Sequence, residues 1–161
     1  MPIKEPSFHS GTLISSPRSK IKTCFTSIDV EHDRGPGIRQ FSGVENLEKI
    51  LSIFKKYNIP ATLFVTGEVL QKYQDKFQEL AFSYEIASHS FTHRFWNTLS
   101  PDDRAKELDD FISLYRSVLK KSPVGFRAPS HVIDAEAIDL LAQKGFLYDS
   151  SVVPHYPFFK K

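Results

Sequence analysis

A single cysteine, Cys24, stands in 161 residues. That excludes an intrachain disulfide framework and any metal site built from several thiolates. No apolar run reaches the ~18–20 residues that cross a bilayer. Residues 1–19 also lack the apolar core of a secretory signal, because Pro2, Pro6, Pro17 and scattered serines interrupt them. The expected compartment is therefore the cytoplasm. Charge of one sign is scarce too. With 21 Lys+Arg against 19 Asp+Glu, the formal net charge is +2, and no dense basic cluster gives a nucleic acid an electrostatic footprint. Neither an internal repeat nor a low-complexity tract is present.

What is there is an ordinary globular composition, 40% hydrophobic and 25% charged, in a chain long enough for one domain. Residues 1–20 read as an irregular arm and residues 21–161 as the domain. From Ile21 onward, short β-branched runs alternate with amphipathic stretches. Strands are expected over Ile21–Ile28, Ala61–Val65, Ser83–Ala87 and Val124–Phe126, with a fifth beginning at Phe146–Tyr148. Gly35-Pro36-Gly37 breaks the chain after the first. Helices are expected over Val44–Tyr57, Glu68–Ala81 and Ala135–Lys144, the last closed by Gly145. The clearest helix starts at Ser100 as N-cap, with Pro101 at its first position and Asp102 and Asp103 facing the positive end of its dipole. Leu108, Phe111, Ile112, Tyr115 and Leu119 give it one apolar face. Strands alternating with helices predict a parallel α/β domain with right-handed crossovers. In such domains chemistry gathers at the carboxyl ends of the strands.

Three expected strand ends carry unusual polar clusters. In Asp29-Val30-Glu31-His32-Asp33, the first two acids lie two residues apart and share one side of an extended chain. His89 and His93 are four apart, a spacing that brings both to one ion if the segment makes a helical turn. No glutamate follows the first histidine, so the zinc-protease pattern is absent. Arg127 follows the fourth strand, where it can fix a carboxylate through paired hydrogen bonds. One carboxylate with two imidazoles makes a three-ligand divalent site that leaves room for water, the pattern of a hydrolytic metal. Phe64, Phe82, Phe91, Phe95 and Phe126 read mainly as core, with Phe91 and Phe95 also candidates for the mouth of the site. Trp96 divides evenly between packing and stacking on a sugar.

Five segments, in this order and spacing, resemble the polysaccharide deacetylases of the NodB-homology type (carbohydrate esterase family 4). They are Thr26-Ser27-Ile28-Asp29-Val30-Glu31, Pro60-Ala61-Thr62-Leu63-Phe64-Val65-Thr66-Gly67, the stretch from Glu85 to His93, Gly125-Phe126-Arg127-Ala128-Pro129-Ser130, and Gly145 to Ser151. The resemblance runs from about Lys22 to Ser151. It implies a distorted (β/α) barrel, here stopping after about five strands, and metal-dependent hydrolysis of an N-acyl group. It makes Asp29 the general base, His89 and His93 metal ligands, and Arg127 the residue that orients Asp29. The turn at Pro129 and Ser130 becomes part of the substrate site, with a backbone N–H near Ser130 meeting the oxyanion. Where the common motif has two adjacent aspartates, this chain has Asp29 and Val30. The third ligand then falls to Glu31, with Asp33 as its competitor. This acid-x-acid variant resembles the branch holding intracellular-type peptidoglycan deacetylases and relatives that act on cyclic imides or small amides.

The expected cofactor is a divalent cation, first of all zinc, with cobalt, nickel and manganese as alternatives. The leading reading is a deacetylase of an amino-sugar polymer such as peptidoglycan or a chitin-like glycan. A cyclic-imide or small-amide hydrolase on the same scaffold is the second. A truncated, non-catalytic metal- or carbohydrate-binding protein is the third, because the family's general-acid histidine lies in a leucine–histidine motif beyond Lys161. His131 and His155 do not stand where that acid belongs. Neither nucleic acid nor membrane is an expected partner. Uncovered strand edges and Phe158-Phe159 would favour self-association.

Overall fold

The β-rich runs pair in sequence order. In the computed structural model, which describes residues 24–33 and 40–152, five parallel strands lie in the order β1-β2-β3-β4-β5. They are β1 (Thr26–Val30), β2 (Ala61–Val65), β3 (Glu85–Ser88), β4 (Gly125–Phe126) and β5 (Tyr148–Asp149). A doubly wound sheet reverses its strand order at a switch point, whereas sequential order is how a (β/α) barrel winds. The helices are α1 (Ser42–Glu45), α2 (Leu47–Lys56), α3 (Gly67–Lys72), α4 (Gln74–Leu80), α5 (Pro101–Leu119) and α6 (Ala135–Gln143). No helix among the described residues is long and apolar enough to cross a membrane. The N-terminal arm, Gly35-Pro36-Gly37, His155 and Phe158-Phe159 lie outside the described residues.

Several expected boundaries move. Among the described residues β1 runs from Thr26 to Val30, with Cys24 and Phe25 exposed and outside the sheet, and residues 21–23 of the expected strand lie outside the described residues. The single helix expected over Val44–Tyr57 is two, broken at Asn46, and the one over Glu68–Ala81 is broken at Tyr73. Periodicity survives each break because apolar side chains on both halves face the same core. β3 starts two residues later than expected, and β4 and β5 are only two residues long.

The core has two parts that share α5. Between the outer face of the sheet and α1–α5, Ile28, Val30, Leu63, Val65 and Ile86 meet Val44, Leu51, Leu70, Phe77, Phe111 and Tyr115. Beside β4, Phe126 packs with Trp96, Leu108, Ile112, Leu141 and Phe146. Phe82 is the clear exception to the expected core. It is 91% exposed, in the turn that follows the end of α4. Phe95 is also exposed.

The start of α5 is built as its sequence suggests, while its end comes at Leu119, earlier than Ser122 and Pro123, where the sequence puts it. Ser100 Oγ accepts the Asp103 N–H at 3.1 Å, and Lys120 closes the helix in the left-handed region. Ser100→Ala removes that cap and is expected to cost about 1 kcal/mol of unfolding free energy, read as a lowered urea midpoint with an unchanged slope.

Candidate metal centre

A strand rule places the site. Ile28 and Val30 enter the core, so Ser27, Asp29 and Glu31 fall on the opposite, inner face. The parallel ladder sets Asp29 opposite Phe64, and Phe64 opposite Ala87. The same parity brings His89 past the end of β3 and Arg127 past the end of β4 onto that face. The acid, imidazole and guanidinium groups thus meet at the carboxyl rim of neighbouring strands.

Arg127 ties this rim together. Its Nη1 donates to Asp29 Oδ1 at 2.6 Å, and its Nη2 donates to Ser27 Oγ at 3.0 Å and Ser150 Oγ at 2.8 Å. The guanidinium lies 4.0 Å from the centre of the Phe64 ring, whose negative face favours a cation there. With one Asp29 oxygen held by Arg127, the other lies 4.0 Å from His89 Nε2. Ser151 completes the rim by accepting the Ala128 N–H at 2.7 Å and donating to Asp149 at 2.6 Å.

His89 is 1% exposed, and its Nδ1 lies 2.8 Å from the Arg127 carbonyl oxygen. A carbonyl can only accept, so Nδ1 is the donor there, and in the neutral imidazole Nε2 is then the nitrogen whose lone pair faces inward. That arrangement is usual for a metal-ligating histidine. His89 Nε2 is 3.6 Å from Glu31 Oε2, and His93 Nε2 contacts the same oxygen. One ligand atom each from Glu31, His89 and His93 lies within 4.8 Å of the others. Ligands at ~2.0–2.2 Å from a tetrahedral ion stand roughly 3.4 Å apart. The Glu31–His89 separation of 3.6 Å is close to that value, and a nitrogen–oxygen donor set of two imidazoles and a carboxylate suits a divalent cation.

The remaining site expectations divide. Glu31, rather than Asp33, faces the imidazoles. Asp33 instead accepts the Ser42 N–H at 3.3 Å, and hydrogen bonding from the Ser42 side chain, its main influence, holds its carboxyl below the ordinary range. The two histidines meet without a helical turn. Between β3 and the 3₁₀ turn at Trp96–Thr98 the backbone is irregular, with Ser90 at φ 65° and His93 at φ 61°. Trp96 is 1% exposed and donates its indole N–H to Ser90 Oγ at 2.9 Å. It packs, and offers no face to a sugar. Pro129 is buried and Ser130 partly exposed, in the short turn that follows Arg127, with Ser130 at φ 58°.

Glu107 is the residue the sequence reading passed over. It is 3% exposed on α5 and accepts hydrogen bonds from the segment joining the two histidines. Burial pushes its carboxyl up, but donors from Thr92, Ser90 and Phe91 together outweigh burial and hold it below the usual range. A signal was available. Glu107 lies four residues before Phe111 and eight before Tyr115, so an acid occupies the apolar stripe of its helix.

Sequentially ordered parallel strands with an acid–imidazole cluster at their carboxyl rim define a (β/α)-barrel protein with a candidate metal centre. Comparison with known proteins names the family. The polysaccharide deacetylase profile matches residues 21–148, and the chain belongs to that family. It is 36% identical over 118 residues to the peptidoglycan deacetylase-like protein FGM2 of Gibberella zeae, covering 71% of this chain and 35% of that protein. It is 25% identical over 114 residues to the peptidoglycan deacetylase of Helicobacter pylori, covering 70% and 39%. Among solved structures, a candidate polysaccharide deacetylase from Mycobacterium smegmatis superimposes with a TM-score of 0.62 at 31% identity, covering 66% of this chain and 38% of that one. The five strands are thus part of a NodB-type barrel, and the chain spans under two-fifths of the length of these relatives.

Proposed function

We propose that the chain carries a metal-dependent N-deacetylase site for an amino-sugar polymer such as peptidoglycan or a chitin-like glycan. The observation that carries this reading is the convergence of Glu31, His89 and His93 beside an Asp29 fixed by Arg127. Glu31 Oε2 and the two Nε2 atoms would hold a divalent cation, zinc first, which when bound supplies Lewis-acid polarisation of a carbonyl and acidifies water. Asp29, held through Oδ1, keeps Oδ2 available to take the proton from water attacking the acetamide carbonyl carbon. The turn at Ser130 offers its N–H as the oxyanion donor. The proton taken up by Asp29, returned to the departing amine as the carbon–nitrogen bond breaks, balances the step and releases acetate and a free amino sugar. The names of the Gibberella and Helicobacter relatives support the glycan class.

The acid-x-acid spacing favours a second reading, hydrolysis of a cyclic imide or small amide, because that spacing marks the branch in which such relatives occur. Supplying the full chain with Zn²⁺, Co²⁺, Ni²⁺ or Mn²⁺ separates the two. Acetate released from N-acetylated chitooligosaccharides or peptidoglycan fragments is the expected result. Ring opening of a cyclic imide without acetate release assigns the site to the second reading. Neither product, in the presence of tight metal binding, rejects both.

A further inference from the structure

His93 reaches the site from a backbone that would not adopt its conformation alone. Ser90 and His93 both have left-handed φ, a region that residues with a Cβ occupy when their surroundings impose it. We infer that Glu107 is the positioning residue of the metal centre, setting the Ser90–Arg94 segment so that His93 meets Glu31 and His89. The inference rests on the proposed metal site. Its own support is a hydrogen-bond set that spans the gap between the two histidines.

Glu107 Oε2 accepts from Ser90 Oγ, Phe91 N–H and Thr92 N–H, each at 2.8 Å. Its Oε1 accepts from Thr92 Oγ1 at 2.6 Å and Arg94 Nη2 at 3.0 Å. Only a carboxylate can accept from all of these at once, and a side-chain amide would turn its NH₂ toward donors. Packing of Leu108, Phe111 and Tyr115 in both parts of the core fixes the helix that carries Glu107. On the other side, Gly67 N–H donates to Ser90 O at 3.0 Å and Glu68 N–H to Phe91 O at 3.1 Å. A Cβ at Gly67 would run into the Phe91 ring. The segment is clamped from both sides, and on the α5 side every hydrogen bond to it ends on the Glu107 carboxylate, with Asp103 adding only a 3.9 Å ion pair to Arg94.

Glu107→Gln in the full chain tests this, with Tyr115→Phe as a control that removes a different buried hydrogen bond, to Ile86 O, from the same helix. Co²⁺ affinity and its visible spectrum are measured at temperatures where circular dichroism shows each variant folded. Amide hydrogen exchange at Phe91 and Thr92 is measured on metal-free protein. The expected result is Co²⁺ affinity about 10–100-fold weaker in Glu107→Gln, the range found when a group that orients a ligand is lost. An altered spectrum and faster exchange at Phe91 and Thr92 accompany it, while Tyr115→Phe keeps wild-type affinity. Wild-type affinity and spectrum in Glu107→Gln overturn the inference, as does an equal loss of affinity in Tyr115→Phe. If Glu107→Gln does not fold, Thr92→Val replaces it, since it deletes a single donor to the carboxylate. A several-fold loss of affinity there supports the inference, and none overturns it. A wild-type chain that binds no Co²⁺ rejects the metal reading itself, whatever the exchange data show.

Discussion

Asp29→Asn is expected to lower acetate release about 10²–10⁴-fold, the range that general acid–base help contributes, while leaving divalent-cation affinity within a few-fold of wild type. The two outcomes separate because Asp29 and the candidate ligands occupy different places on one rim. Asp29 Oδ1 is held by Arg127 at 2.6 Å, whereas the cluster that would hold the cation consists of Glu31, His89 and His93. Asparagine keeps the shape and an oxygen for Arg127 but has no carboxylate to receive a proton. Metal content by elemental analysis and kcat on an N-acetylated oligosaccharide check the two halves. Equal loss of metal and activity would make Asp29 a ligand and sink its assignment as the base.

The topology was largely legible because parallel α/β order is written in local pattern. Runs such as Ala61–Val65 are β-branched and short, and the helix after Ser100 announces its cap, its first-turn proline and its apolar stripe. The site was legible to the extent that strand parity governs it. Two residues from Asp29 to Glu31 fix a common side once Val30 is core. Parity cannot show how a loop returns. The four-residue spacing of His89 and His93 suggested a helical turn, yet the histidines converge through two left-handed residues and a carboxylate from a distant helix. Nothing local to residues 89–93 records that Glu107 stands above them. Helix breaks at Asn46 and Tyr73 were hidden for a similar reason, since side chains on both halves still face one core. Aromatic residues were the least legible. Phe82 and Trp96 have comparable apolarity, but one sits in a turn beyond a helix end and the other between β4 and α5.

His93→Ala is expected to weaken divalent-cation binding by more than about 100-fold and to abolish acetate release at equal added metal. Loss of a group that only orients a ligand already costs about 10–100-fold in affinity, and here a ligand itself is removed. A centre with three protein ligands falls to two, fewer than the catalytic zinc sites that keep three. Stability of the metal-free chain should change far less. His93 lies in the irregular segment and contributes to neither part of the core. The substitution also removes its contact with Glu31, a carboxylate that is partly exposed at the rim. Isothermal titration with Zn²⁺ and thermal unfolding with and without metal measure both quantities. Wild-type stabilisation by metal should exceed that of His93→Ala, because an ion that binds only the folded state raises its apparent stability by RT ln(1 + [L]/Kd). Metal-dependent stabilisation preserved in full in His93→Ala would place the cation elsewhere and remove the basis for a hydrolytic centre on these strands.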